Sequence, residues 1–302
     1  MNKIRVILNG KKAILDDVRQ AIFDARYFGE VEVRVTFEGG DAARFVDEAI
    51  QDGVNRLVAG GGDGTINELV NALMKNKAPT NPELALLPLG TANDFATACL
   101  VPSHLTEALK LALAGDSYLV DCIKAGDDYF INVASCGFGA QVTTNTPVAL
   151  KNFLGGGAYT LSGLVQALNF VPYQGTFTVA GQQASRNMIV GAVCNGRQAG
   201  GGQALAPHAF IDDGLIDFVS FSEFPAEDIG QVLSELTNSE VSGQYVERIQ
   251  ASKATWQSSV AIPINLDGEP ISTNNITFEV CEKAIKLVLP ANCPLLLKNK
   301  SC

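Results

Sequence analysis

Six consecutive positions carry the densest chemistry in the chain: Gly60, Gly61, Gly62, Asp63, Gly64 and Thr65, followed by Ile66, Asn67 and Glu68. Glycines let the main chain take positive φ and bring its N–H groups against phosphate oxygens with no Cβ in the way. A helix opening there would add the positive end of its dipole, and the Thr65 hydroxyl can donate to the same oxygens. A carboxylate such as Asp63 among phosphates makes sense mainly with Mg²⁺ between them. The pattern lacks the Gly-Lys-Ser/Thr of a P-loop, the spacing of a dinucleotide fingerprint and the protein-kinase motifs. The plainer alternative is a tight strand-to-helix turn with Thr65 as cap. A second segment repeats the arrangement: the apolar run 84–89 ends in Gly90 and Thr91, and Ala92, Asn93, Asp94 and Phe95 follow. Alone, it reads equally well as an ordinary helix cap at Asn93 or Asp94.

The elements around these loops set where they point. Apolar, β-branched runs at 4–8, 31–37, 54–59 and 84–89 alternate with helical periods at 15–28, 41–51, 66–74, 94–99 and 105–113. Strands that are apolar throughout, separated by helices, predict a parallel sheet covered on both faces. Ligands of such sheets bind beyond the carboxyl ends of the strands, where both glycine segments fall. From about residue 118 short strand-like runs follow one another, at 118–123, 129–134, 176–179, 188–193, 215–221, 255–256, 262–266, 276–280 and 285–289. One helical period at 225–236 interrupts them, and a second is expected within 146–171. Many strands and few helices predict a second, mostly β domain, a sandwich or barrel. Tyr159, Leu161, Leu164 and Leu168 trace one helical face, read as core in preference to a lipid-docking face.

The chain has 302 residues, enough for about two domains, and is 47% apolar and 18% charged, so it can bury a sizeable core. Its net charge of −10 speaks against nucleic acid as a partner. Residues 129–211 contain no carboxylate at all, only Lys151, Arg186 and Arg197. Buried β structure explains that; the functional alternative is a surface that meets lipid transiently. The first twelve residues hold an apolar run too short for a secretory segment, and 152–172 is too polar for a membrane span. Seven cysteines with no C-x-x-C pair argue against a disulfide framework or zinc site. The expectation is a cytoplasmic protein. His104 and His208 belong to no ligand cluster and read as incidental.

Gly-Gly-Gly-Asp-Gly-Thr with its following Asn-Glu, then Leu-Pro-Leu-Gly-Thr-Ala-Asn-Asp-Phe at 87–95, resemble the motifs of diacylglycerol-kinase-type lipid kinases, closest to the bacterial YegS-like branch. The likeness continues through 191–202, 207–217 and 266–270, in order over nearly the whole chain. It implies an α/β plus all-β architecture: a Rossmann-like three-layer nucleotide-binding domain at 1–125 and a β-sandwich lipid kinase domain at 126–289. It places the active site in the cleft between them and returns the tail at 290–302 to the first domain. The implied reaction is transfer of the γ-phosphoryl group of ATP to a hydroxyl of a glycerolipid, of the diacylglycerol or phosphatidylglycerol class, in phospholipid metabolism.

By the same resemblance ATP lies along Gly62, Asp63, Gly64, Thr65, Ile66, Asn67 and Glu68, with Thr36 and Thr91 as further contacts. Thr36 is also a good strand residue, and Thr91 also a helix cap. Asn9 stands where relatives carry Asn-Pro, but Gly10 follows it here. Glu269, on the Asp267-Gly268-Glu269 turn, resembles the general base; a weakly nucleophilic lipid hydroxyl needs a carboxylate to take its proton. Read alone, Asp-Gly is a hairpin turn. Phe210, Asp213 and Leu215 resemble a separate structural cation site, with two main-chain carbonyls and one carboxylate suited to Mg²⁺ or Ca²⁺. Asp63 and Asp94 are the local candidates for the nucleotide Mg²⁺. Two other readings stay open: an NAD kinase, whose family shares the Gly-Gly-Asp-Gly loop, and a nucleotide- or lipid-sensing protein without turnover.

Overall fold

Runs of aliphatic and β-branched residues with no polar alternation form strands that can sit only in a sheet covered on both faces. The computed structural model of the chain describes residues 3–76, 78, 81–137, 168, 170–237 and 242–299. Two compact units emerge: Met1–Cys122 together with Glu282–Cys302, and Ile123–Cys281.

In the first unit the strands are β1 (Lys3–Asn9), β2 (Glu30–Thr36), β3 (Arg56–Gly61) and β4 (Glu83–Pro88). The parallel order is β2-β1-β3-β4, and the last residues of a long C-terminal strand extend it, Leu287 pairing with Leu84. Ile4, Val6 and Leu8 of β1 pack under helices α2 (Asp16–Ala25) and α6 (Leu105–Ala114), with Val18, Ile22, Leu109 and Leu113. The alternate residues Ile7, Leu57 and Leu86 are equally buried on the opposite face. The remaining helices are α1 (Gly10–Ala13), α3 (Asp41–Gln51), α4 (Asp63–Lys75) and α5 (Asp94–Ala98). Charges pair at the amino end of this sheet, away from the glycine loops. Buried Arg5 donates to Glu32 and to Asp52 (2.6 Å), and Arg56 holds Glu83 and the carbonyls of Ala112 and Gly115.

The second unit is antiparallel. Its strands are β5 (Ser117–Ala125, which begins in the first unit), β6 (Asp128–Phe130), β7 (Val133–Gly137), β8 (Tyr173–Val179), β9 (Gln182–Cys194), β10 (Gln198–Ala199), β11 (Gln203–Ala204), β12 (Ile216–Ser222), β13 (Val246–Ala251), β14 (Lys253–Leu266) and β15 (Glu269–Val288). The order β13-β12-β9-β7-β14-β15 runs across it, and β8 also bridges β9 and β14. Phe130, Phe218 and Phe278 meet edge to face in its core beside Trp256, Ile264 and Leu266. A smaller cluster of Phe221, Phe224, Val232 and Tyr245 sits under helix α7 (Ile229–Thr237), and Leu168 packs against it.

The runs expected at 255–256 and 262–266 are one strand, β14, and those at 276–280 and 285–289 are the single strand β15. β13 and α1 are additional. The helix expected within 146–171, and with it Tyr159, Leu161 and Leu164, lies outside the described residues apart from its last few positions. Among the described residues no helix is long and apolar enough to cross a membrane.

Candidate active site

In the first unit the two glycine segments meet backbone to backbone. β3 ends at Gly61, α4 begins at Asp63, and Gly62 is the cap between them. A Cβ on Gly90 would stand 2.5 Å from the Gly62 Cα, so neither position tolerates a side chain without moving main chain. The second loop is closed by Asn93, in left-handed conformation at φ 52°. Its Oδ1 accepts from the Gly90 N–H (2.7 Å) and its Nδ2 donates to the Gly90 carbonyl (3.0 Å). Asp63 ties the loops together: one carboxylate oxygen accepts from the Asp94 amide and the other from the Phe95 amide, both at 3.1 Å. Burial raises the Asp63 pKa above the usual carboxylate value against the pull of those amides, and the nearby Asp94 charge adds to the rise.

Gly64 differs from its neighbours, because a Cβ there would meet nothing within 4 Å. The first turn of α4 therefore presents bare main chain on an open face, the geometry that suits a phosphate at a helix N-terminus. Thr65 is nearly buried against Gly61, and Thr91 is exposed on the neighbouring loop. Two expected loop residues do not belong to the open face. Ile66 is in the core, and Asn67, 2% exposed, accepts from the Asn71 amide at 2.9 Å. The helical period that brings Gly64 outward turns these two side chains inward, and Glu68 is exposed one turn on. Thr36 ends β2 opposite Asn9 in register, its hydroxyl donating to the Leu8 carbonyl at 3.4 Å. Asn9 caps α1, accepting from the Lys11 amide. Asp94 is buried beside Asp63. Its charge is felt at Asp63, and carboxylates at a helix-terminal loop are hard oxygen ligands suited to Mg²⁺.

In the second unit β14 and β15 form a hairpin across Asp267 (φ 48°) and Gly268 (φ 108°), the two positive φ values of a type I′ turn. Glu269 is the first residue of β15, pairs with Leu266 and is exposed. The Asp267 carboxylate accepts three amides, from Ile131 (2.8 Å), Asn132 (3.0 Å) and Val133 (2.7 Å). Nothing in the local sequence announces that clamp, since its partners lie about 135 residues upstream.

Phe210, Asp213 and Leu215 share one loop. Asp213 Oδ1 accepts from the Leu215 amide (3.0 Å), Gly214 takes φ 75°, and Arg197 donates to the Ala209 carbonyl while lying over the Phe210 ring. Asp217 follows on β12, its pKa pushed up to about 6 by burial and further by the Asp213 charge, against a hydrogen bond from Gln250. A carboxylate such as Asp213, in a loop whose main chain also carries oxygen donors, is of the kind a hard cation takes. Among the described residues no cluster of three or more His, Cys, Asp or Glu could hold a metal by side chains alone, so a cation at this loop would need main-chain oxygens. Burial lifts the thiols of Cys194 and Cys136, the latter to about 12, so these cysteines pack rather than react.

Residues 3–125 match the family described as diacylglycerol kinase catalytic domain, and 132–289 match the YegS C-terminal NAD kinase beta sandwich-like domain. The protein named "Probable lipid kinase YegS-like" of Shewanella frigidimarina is 49% identical over 301 residues, covering 99% of this chain and 97% of its own. "Probable lipid kinase YegS" of Escherichia fergusonii is 43% identical over 296 residues, covering 96% and 97%. A crystal structure of a diacylglycerol kinase from Bacillus anthracis superposes with a TM-score of 0.74 at 21% identity, covering 97% of this chain and 98% of that one. A second structure from the same organism reaches 0.79 at 24% over the same shares. These structural likenesses speak for the fold.

Proposed function

Because the chain belongs to the family of diacylglycerol-kinase-type lipid kinases, with a YegS-type β-sandwich domain, we propose that it transfers the γ-phosphoryl group of ATP to a free hydroxyl of a glycerolipid, diacylglycerol or phosphatidylglycerol. The observation that carries this reading is the open main-chain face at Gly64, backed by a second glycine loop that Asp63 clamps in place.

In this reading residues 1–125 bind the nucleotide and 126–289 the lipid. The Gly62–Gly64 main chain and the hydroxyls of Thr65, Thr91 and Thr36 contact ATP, with the phosphates against the start of α4. Asp63 and Asp94 would hold Mg²⁺, which when bound would neutralise charge on the phosphate oxygens. The Glu269 carboxylate accepts the proton of the lipid hydroxyl as its oxygen bonds to the γ-phosphorus and the bond to ADP breaks. The products are a phospholipid, ADP and a protonated Glu269. The transition state is loose, so aim matters more than base strength. The carbonyls of Phe210 and Leu215 and the Asp213 carboxylate would hold a structural Mg²⁺ or Ca²⁺, a hard cation suited to oxygen ligands. The reaction takes place at the cytoplasmic surface of a membrane, through transient contact.

The test is labelled ATP with Mg²⁺ offered to vesicles containing diacylglycerol or phosphatidylglycerol, with label followed into the organic phase, and separately to NAD, with label followed into aqueous NADP. Labelled phospholipid is the expected result, and its pattern across the panel names the acceptor. Label in NADP instead would establish the NAD kinase reading, which the description of the second family domain keeps in view. ATP binding without transfer to any acceptor would leave a sensor.

A further inference from the structure

We propose that Asp267 is the positioning residue that aims Glu269, a claim that rests on the reading of Glu269 as the base. A type I′ turn asks of its first central residue only that it tolerate positive φ, which asparagine or glycine does as well. A carboxylate at that place is more than the turn needs. Here it is 8% exposed and accepts three successive main-chain amides at 2.7 to 3.0 Å, while its own N–H donates to the Val133 carbonyl at 3.2 Å. Charge-assisted bonds of this kind are short and strong, and three converging on one carboxylate leave the turn little freedom.

The segment it grips is itself held. The Asn195 side-chain amide donates to the Ile131 carbonyl (2.7 Å), and the main-chain amides of Asn195 and Gly196 both donate to the Asn132 carbonyl (2.9 Å each). The Asn132 side-chain amide donates to the Gln198 carbonyl, where the glycine hairpin of β10 and β11 begins. Packing against Gly196 is so close that a Cβ there would overlap the Asn132 amide oxygen. A second strut closes the turn from within: Asn265 Oδ1 accepts from the Gly268 amide at 2.7 Å. Glu269 is the next residue, exposed, so the direction of its Cα–Cβ bond follows from how the turn is fixed. A reaction that depends on alignment loses about 100-fold when a reacting group is misplaced by about 1 Å.

The test compares wild type, Asp267→Asn, Glu269→Gln and the double variant in the lipid-transfer assay, with thermal melts and ATP titrations alongside. Asparagine keeps the shape and tolerates the turn, but one of its two acceptors becomes a donor facing amide N–H groups. The expected result for Asp267→Asn is a kcat lower by on the order of 10²-fold with KM for ATP unchanged, and no further loss when it is added to Glu269→Gln. A general structural role would instead lower activity by the same factor in both backgrounds, and that outcome overturns the proposal. So does an Asp267→Asn kcat equal to wild type while Glu269→Gln is inactive. A fully active Glu269→Gln, or a wild type that transfers phosphate to no lipid, takes down the reading of the base and this proposal with it. Should Asp267→Asn fail to melt cooperatively, Asn265→Ala decides: a kcat loss that vanishes in the Glu269→Gln background supports the assignment, and an unchanged kcat refutes it.

Discussion

Gly64 and Gly90 belong to loops of similar sequence, yet the structure gives them opposite roles. At Gly90 a methyl group would stand 2.5 Å from the Gly62 Cα and 2.6 Å from Asn93 Oδ1, both fixed by the loop contact. Gly90→Ala is expected to lower stability by about 1–3 kcal/mol, as overpacking does where main chain cannot yield. At Gly64 the methyl group meets nothing, and alanine is the better helix former, so Gly64→Ala should melt no lower than wild type. Its ATP affinity should nevertheless fall roughly 10- to 100-fold, the worth of one charge-assisted hydrogen bond that the Cβ now obstructs. Melting curves and ATP titrations of the two variants separate the roles; a Gly64→Ala protein that binds ATP as tightly as wild type would mean that phosphate does not rest there. The glycines themselves were visible in sequence because so dense a cluster signals close main-chain approach. What Asp63 touches was not: a carboxylate read there as a metal ligand also accepts the Asp94 and Phe95 amides, 31 and 32 positions on. Side-chain bonds across such separations are set by tertiary packing, which local pattern does not encode.

Helix α3 shows how one carboxylate fixes an element next to the expected nucleotide contact Thr36. Asp41 opens the helix and accepts from the Phe37 amide at 2.7 Å and the Glu38 amide at 3.1 Å, and Arg44 pairs with it at 2.6 Å. The Phe37 amide above all, then Arg44 and the Glu38 amide, hold its pKa at about 2 against an ordinary 3.8. A carboxyl depressed in the folded state contributes stability above its unfolded pKa and loses it as pH falls through the folded one. The Asp41→Asn protein should therefore melt below wild type at neutral pH, and the gap should close as pH falls from about 4 to about 2. A gap that stays constant over that range would mean the charge is not what fixes the turn. The strands β3 and β4 were legible because burial on both faces demands unbroken apolar runs, and β1 because Arg5 alone interrupts its run at 4–8. β13, with Val246, Glu247, Arg248, Ile249 and Gln250, is only partly buried and reads as polar. The middle of β15, where Ser272, Thr273 and Asn275 keep register with β14 on either side of an irregularity, is held by that pairing rather than by burial, so hydropathy breaks one strand into two. α1 is four residues long and exists through its Asn9 cap, too short for any period to register.

Across the whole molecule the net charge is −10, and that bears on how the proposed reaction would reach an anionic lipid. The carboxylate-free stretch 129–211 offers Lys151, Arg186 and Arg197 as its positive groups. Lys151 lies outside the described residues. Arg186 is forked onto Glu247 at 2.8 and 2.6 Å, and Arg197 donates to the Ala209 carbonyl. The Arg186 guanidinium, neutralised by its own carboxylate, adds little field at a distance, so on the proposed reading the net charge of the whole chain would govern approach to a phosphatidylglycerol surface. Screening then helps rather than hinders, because the Debye length shrinks from about 10 Å at 0.1 M salt to about 3 Å at 1 M. The apparent KM for phosphatidylglycerol vesicles should fall as salt rises from about 0.05 to about 0.5 M. Diacylglycerol in uncharged phosphatidylcholine vesicles should show no such trend, which controls for effects of salt on the chemical step. Salt is the cleaner probe than Arg186→Glu, since that substitution would set two carboxylates against each other where the Glu247 pair now stands and disturb β9 and β13 together. A KM that instead rises with salt, on the anionic vesicles alone, would reveal a basic docking face and overturn the view that this chain meets its membrane against its own charge.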